Sequence, residues 1–167
     1  IGGKLVKSYW IAFLDSKTIP NQNWLKDSTH KLKNEGFDVC FGKTKFRYKN
    51  FFQKLLRAAS YGSILHITTP GTILKKNIFS QNLNFFIENV KAGEDIEWRE
   101  RLQKSNLKIT SLQYEAIVYE SLPSNFFSAI KKYFTYSINT AFVDVQKNLK
   151  FKYLSILILL IILTRSE

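Results

Sequence analysis

Gly42-Lys43-Thr44 has the residue types that close a phosphate-binding loop: a glycine for close backbone approach, a lysine for phosphate oxygens and a hydroxyl beside it. The spacing upstream does not fit. Such a loop carries four residues between its first glycine and the Gly-Lys pair, whereas five separate Gly36 from Gly42. Those five, Phe-Asp-Val-Cys-Phe, read as a strand. Asp15 ends another apolar run and imitates a magnesium-binding carboxylate, but apolar strands ending in Asp are common. Nucleotide hydrolysis is therefore not expected.

The second chemistry in the same stretch is electrostatic. Lys43, Lys45, Arg47, Lys49, Lys54 and Arg57 follow one another with no Asp or Glu between residues 44 and 60. Read as a helix over 44–59, the stretch brings Lys43, Arg47 and Lys54 toward one side, with Lys45 and Lys49 beside it. An uncompensated row of cations repels itself, so phosphate is a natural counter-charge and nucleic-acid backbone the expected partner. Tyr48 and Phe46 have the shape to stack on exposed bases, although Phe46 reads equally well as core.

Other candidate chemistry is thinner. His30 and His66 lie far apart with no Cys or His at ligand spacing, so no metal is expected. The single Cys40 excludes an intrachain disulfide and, within an apolar run, reads as a buried thiol. Glu94, Asp95, Glu97 and Glu100 alternate with Arg99 and Arg101, which reads as a self-paired surface, not a general acid–base pair. No Ser/His/Asp set occupies a nucleophile elbow. The reading has no catalytic residue, no cofactor and no enzyme.

The 167 residues carry a net charge of +12. Residues 1–60 hold twelve Lys/Arg against four Asp/Glu, 61–120 seven against seven, and 121–167 six against two. The basic character belongs to the first third, as a binding face would have it. Methionine is absent and the chain begins at Ile1, as in a processed or partial chain; the abundance of Lys, Asn, Ile and Phe suits an AT-rich, organellar gene.

The elements that position these residues follow from periodicity. Residues 8–15, 37–41 and 63–69 read as strands. Between the first two, Trp24, Leu25, Ser28 and Leu32 share a helical face that Gly36 closes. The helix over 44–59 turns Phe51, Phe52, Leu55 and Leu56 to a core. A third, over 77–91, buries Ile78, Leu83, Phe86, Ile87 and Val90. Residues 92–106 are expected as an exposed connector, 107–120 as a strand or hairpin, and everything beyond Pro123-Ser124 as helix. The fold class is thus α/β (α+β): a small mixed sheet covered by helices, plait-like, over residues 1–122, followed by a helical extension over 123–167.

The order of these motifs resembles the stalk-base protein of the large ribosomal subunit, number ten in the bacterial set. The stretch "WLKDSTHKLKNEGFDVCFGKTKFRYKNFF" follows that family's helix–Gly–strand–basic helix plan. Lys43-Thr44-Lys45-Phe46 takes the place of its Lys-Asn-Thr-Leu, and Lys49 that of a paired basic position. "YGSILHITT" and "LKITSLQYEAIVYESLPS" are similar to its later strands and its Leu-Pro-Ser. Thr44 and Ser63 depart from its usual Asn and Pro, and residues 92–106 are an insertion. The resemblance spans roughly residues 8–125. It implies binding of large-subunit ribosomal RNA beside ribosomal protein eleven, with Lys43, Lys45, Arg47 and Lys49 nearest the phosphates. It also implies a C-terminal helix that carries dimers of the acidic stalk protein, and a structural role in the mitochondrial matrix ribosome.

The tail serves as arbiter. Residues 153–163 are apolar apart from Ser155, about 16 Å as a helix against a bilayer core of about 30 Å. With Lys150, Lys152 and Arg165 flanking it, a membrane anchor is the lesser reading, and partner helices packing on Leu154, Ile158, Ile161 and Ile162 the preferred one. Two alternatives remain: a membrane-associated subunit of an organellar complex, and an RNA-binding module outside the ribosome, which leaves the tail without a role.

Overall fold

The computed structural model describes residues 7–80, 86–88, 90 and 92–143. Its strands are β1 (Trp10–Ala12), β2 (Thr18–Pro20), β3 (Val39–Phe46), β4 (His66–Ile67), β5 (Ile73–Lys75) and β6 (Ile109–Tyr119). Its helices are α1 (Trp24–Asn34), α2 (Phe51–Ser60), α3 (Lys76–Ser80), α4 (Glu94–Gln103) and α5 (Phe126–Phe142). The strands form one mixed sheet in the order β1-β5-β3-β6-β2, with β4 also paired to β3. The long central strands β3 and β6 run parallel, and the other pairings are antiparallel.

Alternation along the strands sends successive side chains to opposite faces, and each face is covered. Ile11, Val39, Phe41 and Leu74 pack with Ile78 of α3 and with Trp98 and Leu102 of α4. Cys40, Ile73, Leu112, Ala116 and Ile117 pack with Trp24 and Leu32 of α1. The result is helix, sheet and helix in layers, so the α/β class expected from the sequence stands in its general form. Cys40 is fully buried as expected, with its thiol pushed up by burial.

Gly42 has a structural task. A Cβ there would stand 2.9 Å from the carbonyl oxygen of Gly71, whose own φ is +88° and whose Cβ would meet Ile117 Cγ1 at 2.5 Å. The two glycines let the turn before β5 lie on β3, and the Gly71 carbonyl accepts a hydrogen bond from Trp24 Nε1 at 2.8 Å. The β3–β6 register shifts at this point. Gly42-Lys43-Thr44 is strand, which answers the phosphate-loop question by geometry.

Several local expectations are corrected. Residues 44–46 continue β3 because β6 supplies partners as far as Phe46, opposite Tyr119; tertiary pairing overrides the local helical pattern. Helix α2 starts only at Phe51, where the Asn50 side chain caps it by accepting from Gln53 N at 2.8 Å. Its apolar face is not core: Phe51 is 73% and Leu55 53% exposed, while Gln53 is the buried residue. Gln53 joins two segments, accepting from Lys49 N at 2.7 Å and donating to Leu122 O at 2.6 Å. The strand expected over 63–69 shortens to His66–Ile67. Helix α3 covers Lys76–Ser80, and Leu83 lies outside the described residues. The expected connector 92–106 is the helix α4, which buries Trp98 and Leu102 completely.

Candidate functional site

Helix α4 opens with Gly93 in the left-handed region (φ +89°) and then Glu94, Asp95 and Glu97 in its first turn. Carboxylates there complement the positive end of the helix dipole. Glu94, Trp98 and Leu102 recur at i, i+4 and i+8, so Glu94 shares the face that the apolar pair buries. Asp95 and Arg99 occupy the neighbouring face. Trp98 packs edge-on against Phe13 at 5.3 Å, the residue two before Asp15. The same apolar contact thereby holds the end of β1 and the start of α4 together.

Between them lies a cleft of about 790 Å³. Asp15, Glu94 and Asp95 line it together with Tyr119 of β6 and with Lys132 and Tyr136 of α5. This size suits a drug-sized or nucleotide-sized ligand. Helix α5 approaches so closely that a Cβ on Gly93 would be 3.0 Å from Thr140 Cγ2 and 3.2 Å from Val143 Cγ2. It begins with a capping box, in which the Asn125 side chain accepts from Ser128 N at 2.9 Å and Ser128 Oγ accepts from Asn125 N at 3.3 Å. Tyr133 Oη, 3.2 Å from Ser60 Oγ, sets its rotation against α2.

The three carboxylates act on a common point. Burial raises the pKa of the Tyr136 hydroxyl, and the charges of Asp95, Glu94 and Asp15 raise it further. Burial and then Tyr136 and Asp15 push the Tyr119 hydroxyl up to about 12. Burial also pushes the Glu94 carboxyl above its ordinary range; its own backbone amide opposes this and the Asp95 charge adds to it. One Glu94 oxygen, Oε2, is buried without a hydrogen-bond partner. Arg99 ties the helix to the sheet: its Nη1 donates to Ile67 O and its Nε to Asp95 O at 3.3 Å, and burial lowers its pKa. Among the described residues no group of three or more His, Cys, Asp and Glu could hold a metal ion.

The basic residues singled out in the sequence lie elsewhere. Lys43 Nζ donates to Gln113 Oε1 at 2.7 Å. Lys45 and Arg47 pair with Glu115 at 3.1 and 2.8 Å, and Lys49 with Glu120 at 3.0 Å. The acids absent from residues 44–60 thus come from β6 and from the residue that follows it. Lys54 is exposed on α2, and Arg57 stands over the Tyr48 ring at 5.2 Å. Phe46 stacks on Tyr61 at 3.8 Å. Leu154, Ile158, Ile161 and Ile162 lie outside the described residues, as does the apolar run 153–163. Among the described residues no helix is long and apolar enough to cross a membrane.

Sequence reasoning passed over Asp15 as commonplace and read Glu94 and Asp95 as surface. The signal that finds them is the i, i+4 spacing of Trp98 and Leu102 behind a glycine and an acidic turn, which marks a helix start with a buried face.

No protein-family model matches the chain. It is 24% identical over 112 residues to Glycosyltransferase AglE of Haloferax volcanii, an alignment covering 60% of this chain and 36% of that protein. Its fold is similar to that of TarS 1–349 of S. aureus, solved in complex with UDP-GlcNAc, with a TM-score of 0.54 and 17% identity over 77% of this chain and 39% of that one. The chain spans well under half the length of either protein. These similarities overturn the ribosomal reading. The stalk-base resemblance rested on the order of short motifs; of its basic helix, residues 44–46 are strand and only Phe51–Ser60 are helix, and Lys45, Arg47 and Lys49 are paired with Glu115 and Glu120. Ribosomal RNA, ribosomal protein eleven and acidic stalk dimers fall with it as partners, and so does the expectation that the chain is not enzymatic. What the chain resembles is a glycosyltransferase.

Proposed function

We propose that this chain supplies the acceptor-facing part of a glycosyltransferase site and transfers a sugar from a nucleotide-activated donor to a hydroxyl. The observation that carries the reading is the convergence of Asp15, Glu94 and Asp95 on one cleft, around Tyr136. The AglE similarity and the fold shared with a UDP-GlcNAc-bound protein support it.

In this reading Asp95 is the general base. Its carboxylate lines the cleft, and it leads the carboxylates acting on Tyr136. The acceptor hydroxyl gives its proton to Asp95 as its oxygen forms a bond to the anomeric carbon. The bond from that carbon to the donor's diphosphate breaks, and its electron pair leaves with the diphosphate. Glu94, desolvated beside Asp95, holds the start of the helix in a low-dielectric setting where the base is worth more. Tyr119 and Tyr136 offer rings and hydroxyls to the sugar, a combination suited to a ligand with apolar and polar faces. A plait-like arrangement and a helical extension over 123–167 are compatible with this reading but add nothing to it.

The test is UDP release from UDP-GlcNAc, measured beside UDP-GlcNAc binding by calorimetry. Asp95→Asn should lose turnover by about a hundredfold to ten-thousandfold while binding is kept. A wild-type chain that does not bind UDP-GlcNAc, or an Asp95→Asn chain with full turnover, overturns the proposal.

A further inference from the structure

Among the described residues, Lys45, Arg47 and Lys49 pair with Glu115 and Glu120, Lys75 with Asp38 and Lys31 with Glu35. Lys132, which lines the cleft, joins no ion pair among them. Its Nζ stands 5.5 Å from the ring centroid of Tyr119 and 5.3 Å from that of Tyr136. Two ring faces steady the ammonium but leave its three N–H donors without strong acceptors. Burial lowers its pKa, Lys17 acts on it as a like charge, and Asp15 offsets the two only in part. A half-buried cation with a like charge as its leading ionic neighbour is unfavourable until an anion arrives.

Position adds to this. Lys132 and Tyr136 are one helical turn apart on α5, and Tyr136 is the residue on which the three carboxylates converge. The cleft therefore presents carboxylates from the segment after β1 and from α4 and, beside the Arg99 guanidinium tied to Ile67 O and Asp95 O, one ammonium from α5. A sugar with an attached phosphate has that polarity: hydroxyls for carboxylates, oxyanions for the ammonium.

We propose that Lys132 is the oxyanion anchor of the cleft, binding a phosphate or diphosphate group through its ammonium. The identity of the ligand rests on the glycosyl-transfer reading, in which negative charge grows on the departing diphosphate and a fixed ammonium stabilises it. The oxyanion has two possible sources: the nucleoside diphosphate of the donor, and a phosphate carried by the acceptor.

The experiment titrates the chain, Lys132→Gln and Lys132→Arg with UDP, inorganic pyrophosphate and octyl phosphate by calorimetry. Lys132→Gln should weaken binding by about tenfold to a hundredfold, with most of it restored in Lys132→Arg. Loss confined to UDP and pyrophosphate assigns the donor, and loss confined to octyl phosphate assigns the acceptor. Near-UV dichroism of the tyrosines checks that the fold is kept, and Lys132→Arg carries the test should Lys132→Gln unfold. Lys132→Gln binding every probe as the wild type does, or no probe binding to the wild type, overturns the anchor. UDP-GlcNAc turnover unchanged in Lys132→Gln also removes the anchor but leaves glycosyl transfer standing. Pyrophosphate binding that depends on Lys132 in a chain unable to bind UDP-GlcNAc does the reverse.

Discussion

The stretch 43–57 and the start of α4 exchange roles between sequence and structure. The first is densely cationic, with no acid between residues 44 and 60; in space, Glu115 of the neighbouring strand and Glu120 just beyond its end neutralise much of it. The second mixes acids with arginines and reads as self-neutralising; in space, Glu94 and Asp95 turn to a cleft while Glu97 pairs with Arg101 at 2.7 Å. Charge along a chain is therefore a poor guide to charge available to a ligand. Parallel pairing of β3 with β6 removes it from one region, and a buried tryptophan exposes it in the other.

The largest effect that could break this comparison is catalytic. Asp95→Asn should lower UDP release by about a hundredfold to ten-thousandfold, whereas neutralising Lys45 or Arg47 should leave it unchanged. Equal losses at both places would erase the distinction. Next comes the anchor of α4. Trp98→Ala removes a completely buried ring and should cost about 3–5 kcal/mol in urea unfolding. An exposed connector would show about 0.5 kcal/mol or less.

Gly71→Ala sharpens the account of the Gly42 stretch. The added Cβ would meet Ile117 at 2.5 Å in a backbone of φ +88°, so a loss of about 1–3 kcal/mol is expected by thermal melting. A neutral result would mean that the turn before β5 does not lie so close to Ile117 of β6.

The smallest effect concerns the paired cations themselves. Burial raises the Glu115 pKa, but hydrogen bonds and charge from Lys45 and Arg47 more than reverse this, leaving it below the ordinary carboxylate value. A carboxylate depressed in the folded state stabilises above its unfolded pKa, near 4.5, and that stability is lost as pH falls through the lower folded value. For a partly exposed pair this amounts to about 1 kcal/mol or less. In Glu115→Gln that part of the acid destabilisation should disappear from urea curves taken between pH 5 and pH 3. An unaltered pH dependence would show that the pairs contribute nothing in solution.

Particular residues show what was legible. Trp24, Leu25, Ser28 and Leu32 announced α1, and Gly36 its end, because a helix that buries one face must repeat apolar residues at its own period; of these Leu25 is exposed and the other three are buried. Alternation and branched residues announced a strand or hairpin over 107–120, and the structure has the single strand β6. The boundary of β3 was not legible: residues 44–46 carry a pattern acceptable to helix or strand, and only the hydrogen bonds offered by β6 decide between them. Helix α4 was hidden because only Trp98 and Leu102 mark its buried face among charged neighbours.

By itself the sequence determined the α/β class, the buried thiol of Cys40 and the identity of α1, all of which depend on local periodicity and on which side chains avoid water. The tertiary structure decided which charges are free. Ion pairing and desolvation act through space over a few ångströms, between residues such as Lys45 and Glu115 or Tyr136 and Asp95 that lie tens of positions apart along the chain.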